Sequence, residues 1–349
     1  MDLAYNLFVA AITLGWLWWA RREPRPRRRR LAALGLIAVV FVAAAGSGSL
    51  FGCARLLSYA LFVYGPVAAL GLALLCWGRQ RVRSLFLIAL ALAVWAVGVD
   101  AFLVEPERLE VSHFTITTPR ISRPVRVVLL ADLQTDRIGA YERGVLERIR
   151  AERPDLVVLA GDYVQHAEAS TRRALMGRLA TLIASVELSA PLGVYAVEGN
   201  TDHDDWVQVF AGSSVVATAT TQTFDLGELE LVALSMSDSF RTDLRLSPRG
   251  EKFRIVLGHA PDFALSRAPA DLLLAGHTHG GQIRLPFFGP LLTFSKVPRA
   301  WAAGKTELAA ERTLIVSRGV GMERGDAPRL RFLCRPELVV IDLTPAPAD

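Results

Sequence analysis

The chain has 349 residues, enough for two domains that each bury a core. With 52% hydrophobic residues, a mean hydropathy of +0.33 and only 21% charged residues, it is too apolar for an ordinary water-soluble enzyme, and disorder is excluded. The net charge of +5 is lodged at one end: residues 1–100 hold 11 Arg against Asp2, Glu23 and Asp100, or +8, while the remaining 28 basic and 31 acidic residues give −3. A basic nucleic-acid footprint on the C-terminal part is thereby excluded.

Four uncharged apolar runs come first, Leu3–Ala20, Leu31–Ala54, Leu56–Gly78 and Ser84–Val99, each close to the ~20 residues a helix needs to cross a bilayer. Trp16, Trp18, Trp19 and Trp77 fall at run ends, where an amphipathic ring suits the interface. A cleavable signal peptide fits poorly, because the charge follows the first run instead of preceding it. Arg21, Arg22, Arg25 and Arg27 to Arg30 fill the first connection, and Arg79, Arg81 and Arg83 the third. Both should face the cytoplasm, so the fourth span delivers everything after residue 105 to the outer side, periplasmic or extracellular. The competing reading of the Arg run, a nucleic-acid or trafficking signal, suits its place between two apolar spans less well. Asp100 reads as interfacial. The expectation is a multi-pass cell-membrane protein with a four-helix transmembrane region over 1–104 and a second domain over 105–349. A transport protein is disfavoured, since the spans carry almost no ionisable residues.

From residue 108 the pattern becomes α/β. Leu109–Thr117 alternates as a half-exposed strand, and Val125–Ala131 is a buried apolar run. An amphipathic stretch, Tyr141–Glu152, leads to a second buried run, Leu156–Ala160, and the helical Ala167–Glu187 to a third, Val194–Val197. Further strands are expected at Glu228–Leu234, Phe253–Leu257, Asp271–Ala275, Thr313–Val316 and Glu337–Asp342. Cys53, Cys76 and Cys334 are too few and too scattered for a disulfide framework or a thiolate metal site.

Polar groups cluster where the buried runs end: Asp132-Leu133-Gln134, Gly161-Asp162, Gly199-Asn200-Thr201-Asp202-His203, Gly258-His259 and Gly276-His277-Thr278-His279-Gly280-Gly281. Strand ends of an α/β sheet are where ligands bind. Taken singly, Asp132 or Asp162 reads as a helix N-cap and Asn200 as a turn residue. Together they form an oxygen and imidazole set in which a carboxylate such as Asp162 can bridge two cations ~3.5–4 Å apart. His277 and His279, two apart on an extended segment, would point to one side. His259, His277 and His279 are three of the six histidines; His113 and His166 match no motif position.

This series, with Gly276 to Pro286 and Ser317-Arg318-Gly319-Val320-Gly321, resembles the calcineurin-like metallophosphoesterases over roughly residues 108–345, and within them the membrane-anchored YkuE-like branch. The resemblance implies a four-layer α/β/β/α sandwich, two divalent ions with Mn²⁺ foremost and Mg²⁺, Fe²⁺ or Zn²⁺ as alternatives, and hydrolysis of a phosphodiester or pyrophosphate by metal-activated water. Position by position, it implies Asp132, Asp162 and His279 for one ion and Asp162, Asn200, His259 and His277 for the other. Gln134 stands where the family usually has a ligating His, and Thr201 where many members have a His that contacts the phosphate. Asn200, Thr201 and His203 are the candidate catalytic residues, with His203 open also to a non-catalytic surface role. These departures keep a second reading in play, a catalytically impaired phosphate or metal sensor. Tethering favours membrane lipids as partners and a phosphorylated lipid or nucleotide-lipid substrate, and relatives resembling UDP-2,3-diacylglucosamine pyrophosphatases supply the leading named one, although that nucleotide-lipid is made on the cytoplasmic side. Phe287, Phe288, Leu291, Leu292 and Phe294 are candidates for an acyl-chain groove or for packing, and Arg284 and Arg318 for gripping a second phosphate.

Overall fold

The computed structural model describes residues 2–347. The chain divides into a helical unit, running to Val104 and including Gly325–Arg329, and an α/β unit of Glu105–Arg324 and the residues from Leu330 onward.

In the helical unit, α1 spans Asp2–Arg22 and α2 Pro26–Ala45, with Pro26 in the first turn where its missing N–H is harmless. A turn at 46–49 follows. Ser49 then caps α3 (Leu50–Tyr59) by accepting from Gly52 N–H at 2.9 Å, and a π-helical turn at Ala60–Tyr64 joins it to α4 (Gly65–Cys76). α5 (Arg81–Val99) continues as a π turn through Val104. Among the described residues three helices are long and apolar enough to cross a membrane: Asp2–Arg22, Leu50–Cys76 and Arg81–Glu107. The fourth expected span, α2, falls short. Arg27 to Arg30 fill its first turn, leaving 15 apolar residues, about 22 Å of helix against a ~30 Å hydrocarbon core. The apolar runs are also cut elsewhere than at Arg55, which lies inside α3 with its guanidinium 3.1 Å from the Asp2 carboxylate.

The α/β unit opens with β1 (Glu110–Thr118), β2 (Val125–Leu130), α6 (Ala140–Ala151), β3 (Leu156–Leu159), α7 (Ala169–Val186) and β4 (Val194–Val197). Then come β5 (Val215–Thr218), β6 (Gln222–Leu226), β7 (Leu229–Ala233), the short α8 (Met236–Ser239), β8 (Phe253–Leu257) and β9 (Leu272–Ala275). A two-residue ribbon, β10 (Arg284–Leu285) with β11 (Gly289–Pro290), precedes β12 (Gly304–Ala309), β13 (Arg312–Val316) and β14 (Glu337–Pro345). One six-stranded sheet runs β1-β14-β2-β3-β4-β5 and the other β12-β13-β9-β8-β7-β6. β2 to β5 are mutually parallel, as are β7, β8, β9 and β13, so their carboxyl ends share an edge in each sheet.

Period-two alternation explains why β2 reads as an unbroken apolar run. Val125, Val127 and Leu129 face the second sheet, packing with Leu231, Ile255 and Leu274, while Val128 and Leu130 face α6 and α7 through Val145, Ile149 and Leu179. Each such side chain contributes about 1.5–3 kcal/mol on burial. The outer face of the second sheet is covered more thinly than a four-layer sandwich implies: Val256, Leu273 and Leu314 pack on Phe263 and Ala264 of the 3-10 turn Pro261–Leu265, and on Leu244.

Candidate metal centre

The loops after β2, β3, β4, β8 and β9 carry the polar groups, and their backbone is bent to do so. Asp132, Gln134, Asp162, His277 and His279 all adopt positive φ, between 36° and 69°, a region in which residues other than Gly, Asn and Asp are strained. The histidine pair is therefore not on an extended segment. Thr278 between them caps a 3-10 turn, accepting from Gly280 N–H at 3.2 Å and donating to the Ala302 carbonyl at 2.7 Å.

Asp132 is fully buried, and both its oxygens accept His277 N–H, at 2.9 and 3.0 Å. Asp162 accepts Thr201 N–H at 2.8 Å, and its own N–H donates to Asp202, whose carboxylate also accepts the N–H groups of Tyr163 and Gly199, each at 2.9 Å. Asp202 thus fixes the backbone that presents Asp162. Close approach depends on glycine: a Cβ on Gly199 would lie 2.2 Å from Asp162 Oδ1, and one on Gly319 (φ 69°) 2.7 Å from Asp132 Oδ2.

The imidazoles are oriented by carbonyls. His259 Nδ1 lies 2.8 Å from the Ala160 carbonyl oxygen and His277 Nε2 lies 3.2 Å from that of Phe294. A carbonyl only accepts, so these nitrogens carry the protons, and the other nitrogen of each neutral ring presents a lone pair. His259 Nε2 then faces Asn200 Oδ1 at 2.7 Å, His277 Nδ1 at 3.2 Å and Asp162 Oδ2 at 3.6 Å. Four electron-pair donors converge with no proton to share. A cation is the partner that this arrangement fits, and Asp132, Asp162 and His259 independently offer ligand atoms all within 4.8 Å of one another. His279 is buried, and its Nδ1, like Gln134 Oε1, has no hydrogen-bond partner among the described residues.

Electrostatics agrees with a site deficient in positive charge. Burial, reinforced by the adjacent Asp162 carboxylate, pushes Asp132 well above the usual carboxylate range; burial lifts Asp162 to about 6 and, with Asp162 nearby, Asp202 to about 8. Burial holds His259 and His277 at about 4, and burial aided by the Arg331 charge holds His279 well below the usual imidazole range, so the rings are neutral near pH 7.

The structure therefore brings Asp132, Asp162, Asn200, His259 and His277 together, with Thr201 hydrogen-bonded to Asp162 and Gln134 N–H donating to the Asp162 carbonyl at 2.8 Å. His203 is exposed, and its ring makes no hydrogen bond among the described residues. Arg318 is engaged by Glu337 at 3.0 Å and Glu110 at 3.3 Å, and Arg284 donates to the Gly280 carbonyl at 3.1 Å. Cys334 is buried, its thiol donating to the His279 carbonyl at 3.2 Å. Sequence reasoning missed Asp202, although its place two residues after Asn200 was a signal. It also missed Arg331, wholly buried, whose guanidinium donates to the carbonyls of Arg318, Gly319, Gly321 and Cys334; nothing local in the sequence marks it.

Comparison with known proteins agrees with this geometry. The calcineurin-like phosphoesterase family model matches residues 125–281, the stretch from β2 to the histidine pair. The uncharacterized metallophosphoesterase YkuE of Bacillus subtilis is 31% identical over 290 residues, covering 76% of this chain and 96% of that protein. The phosphodiesterase YaeI of Escherichia coli is 29% identical, covering 63% and 82%, and the UDP-2,3-diacylglucosamine pyrophosphatase LpxG of Chlamydia trachomatis 24% identical, covering 68% and 90%. The chain belongs to the calcineurin-like metallophosphoesterases, hydrolases acting on phosphoric esters.

Proposed function

We propose that the α/β unit, residues 105–349, is a dinuclear phosphodiesterase or pyrophosphatase whose substrate is a membrane-associated lipid. The observation that carries this reading is the convergence of Asp162 Oδ2, Asn200 Oδ1, His259 Nε2 and His277 Nδ1 without a shared proton. These four would hold one divalent ion; Asp132, Asp162, Gln134 and His279 would hold the other. Two such ions polarise a phosphoryl group and lower the pKa of a water between them, with Mn²⁺ the leading choice.

The chain's own groups do the rest. Asp202 and Thr201 hold the Asp162 carboxylate where the ions would bind, and the Asn200 carboxamide and Thr201 hydroxyl would orient the phosphoryl oxygens. Thr201 donates a hydrogen bond but cannot release a proton near neutral pH, so the substrate must carry a leaving group that departs without a general acid. A pyrophosphate or an activated diester meets that demand.

The segment from Leu285 to Phe294 supports a lipid substrate. Leu285, Phe287, Phe288, Leu291, Leu292 and Phe294 are exposed, and the Phe294 carbonyl is the group that orients His277. The LpxG relatives carry the name of a nucleotide-lipid hydrolase, and UDP-2,3-diacylglucosamine is the first compound to try.

We read α2 as a fourth span, its Arg27 to Arg30 reaching back to the interface. If α2 did not cross, the Arg-rich stretches 21–30 and 79–83 would fall on opposite faces of the membrane, against the preference of both for the cytoplasm. Four crossings place the α/β unit outside. Protease added to spheroplasts or protoplasts, which expose the outer face of the cell membrane, should then degrade it, and protection there would reverse the orientation.

The decisive experiment is turnover by the full-length protein with Mn²⁺, on bis(p-nitrophenyl) phosphate and on lipid extracts read by mass spectrometry. Wild type should hydrolyse both, and Asp162→Asn should lose about 10³-fold, since cation stabilisation is worth several kcal/mol. Turnover that survives this substitution overturns the site; metal binding without any turnover leaves a sensor.

A further inference from the structure

Gln134 is where the chain departs from imidazole, and its surroundings give the amide one orientation. The side chain is 1% exposed. Nε2 donates to Gln165 Oε1 at 3.1 Å and to Glu323 Oε2 at 3.0 Å. Gln165 in turn donates from Nε2 to Glu323 Oε1 at 2.6 Å, and its Oε1 accepts Arg324 N–H at 2.6 Å. Both ends of this chain are fixed, because an ionised carboxylate only accepts and a backbone N–H only donates. Turning the Gln134 amide over would set its oxygen against two acceptors. The atom left over, Gln134 Oε1, is a buried oxygen with no hydrogen-bond partner among the described residues. Leaving such an atom unsatisfied costs about 1–3 kcal/mol, and a cation beside it removes that cost.

We propose that Glu323 and Gln165 are positioning residues that hold the Gln134 carboxamide oxygen toward the ion beside Asp132 and Asp162, making that sub-site oxygen-rich and selective for a hard cation, Mn²⁺ or Mg²⁺, over Zn²⁺. This rests on the two-ion reading above. The contrast lies within the centre itself: the sub-site of His259 and His277 has two imidazoles and suits a transition metal, whereas the Gln134 sub-site has three oxygen donors to one imidazole. Donating both amide hydrogens to neighbours, one of them a carboxylate, also draws electron density onto Oε1, as outer partners do for ligating histidines.

The test is metal binding by full-length protein in detergent, stripped with chelator and titrated with Mn²⁺ by electron paramagnetic resonance and with Zn²⁺ by competition. Wild type should take two ions, one of them favouring Mn²⁺. Gln134→His should shift that site at least about 10-fold toward Zn²⁺ and leave the other ion's affinity unchanged. Glu323→Gln offers one acceptor where two amides need one, and should weaken Mn²⁺ at that site about 10- to 100-fold. Its metal-free thermal unfolding should stay near that of wild type; if it does not, Gln134→His alone decides. Unchanged Mn²⁺ affinity in a folded Glu323→Gln, or unchanged selectivity in Gln134→His, overturns the proposal. Selective binding without phosphoester turnover would sink the functional reading and leave this one standing, and turnover with no selectivity would do the reverse.

Discussion

In the helical unit Leu7, Leu14, Leu34, Phe41, Leu85 and Phe86 turn outward, whereas in the α/β unit the same residue types on β2, β3, β8 and β9 are wholly buried. There the interior also admits carboxylates, the imidazoles of His259 and His279 and the Arg331 guanidinium. The two units are built for different surroundings. A helix satisfies its own backbone and can show apolar side chains to lipid, while a sheet unit in water must hide most of them, and a polar group placed inside without a partner costs free energy. The segment from Leu285 to Phe294 departs from this rule inside the α/β unit, with Leu285, Phe287, Phe288, Leu291, Leu292 and Phe294 exposed, and that exposure is what the proposed lipid substrate rests on.

This comparison can be broken at either end. The larger effect is expected in the helical unit. Leu92, exposed near the middle of α5, should cost about 2.5–3.5 kcal/mol when changed to Asp if that face meets lipid, against less than about 0.5 kcal/mol in water. Unfolding of the purified protein in micelles, with the yield of membrane-inserted chain, reads the difference; a neutral Leu92→Asp would mean that α5 faces water. In the α/β unit, Gly199→Ala drives a methyl group into Asp162 and should cost about 1–3 kcal/mol in stability and about 100-fold in kcat/KM as the carboxylate is displaced. A stable, fully active Gly199→Ala would show that Asp162 tolerates movement.

Much of the α/β frame was legible because its central strands are short, continuous apolar runs and their ligands lie within a few residues of the run's end. Val194–Val197 and Phe253–Leu257 were read to the residue. The edge strands β5, β6 and β12 were not read: Gln222–Leu226 and Gly304–Ala309 are half-exposed and mix Thr, Asp, Lys and Glu, so no periodic signal rises above a loop. The turn at 278–281 escaped for a related reason, since a positive φ at His277 and His279 leaves no trace in residue type. In the candidate centre the residues hardest to foresee are those that act on others from far along the chain. Glu323 reaches Gln134 across 189 positions, and Arg331 gathers four carbonyls from a stretch that looks like loop. Among the apolar runs, the second was drawn on to Ala54, past the turn at 46–49 where helix geometry stops, because Gly and Ser carry no charge to end an uncharged run.

The placement of β14 bears on how the molecule is made. This strand lies between β1 and β2, the first two of the α/β unit, and Glu337, its first residue, together with Arg331 just ahead of it, fastens the turn at 317–321 beneath Asp132. The sheet order makes β14 the link between β1 and β2. A chain without this strand would leave β1 unpaired and β2 with an open edge, and the 317–321 turn would lose the Glu337 half of its fastening.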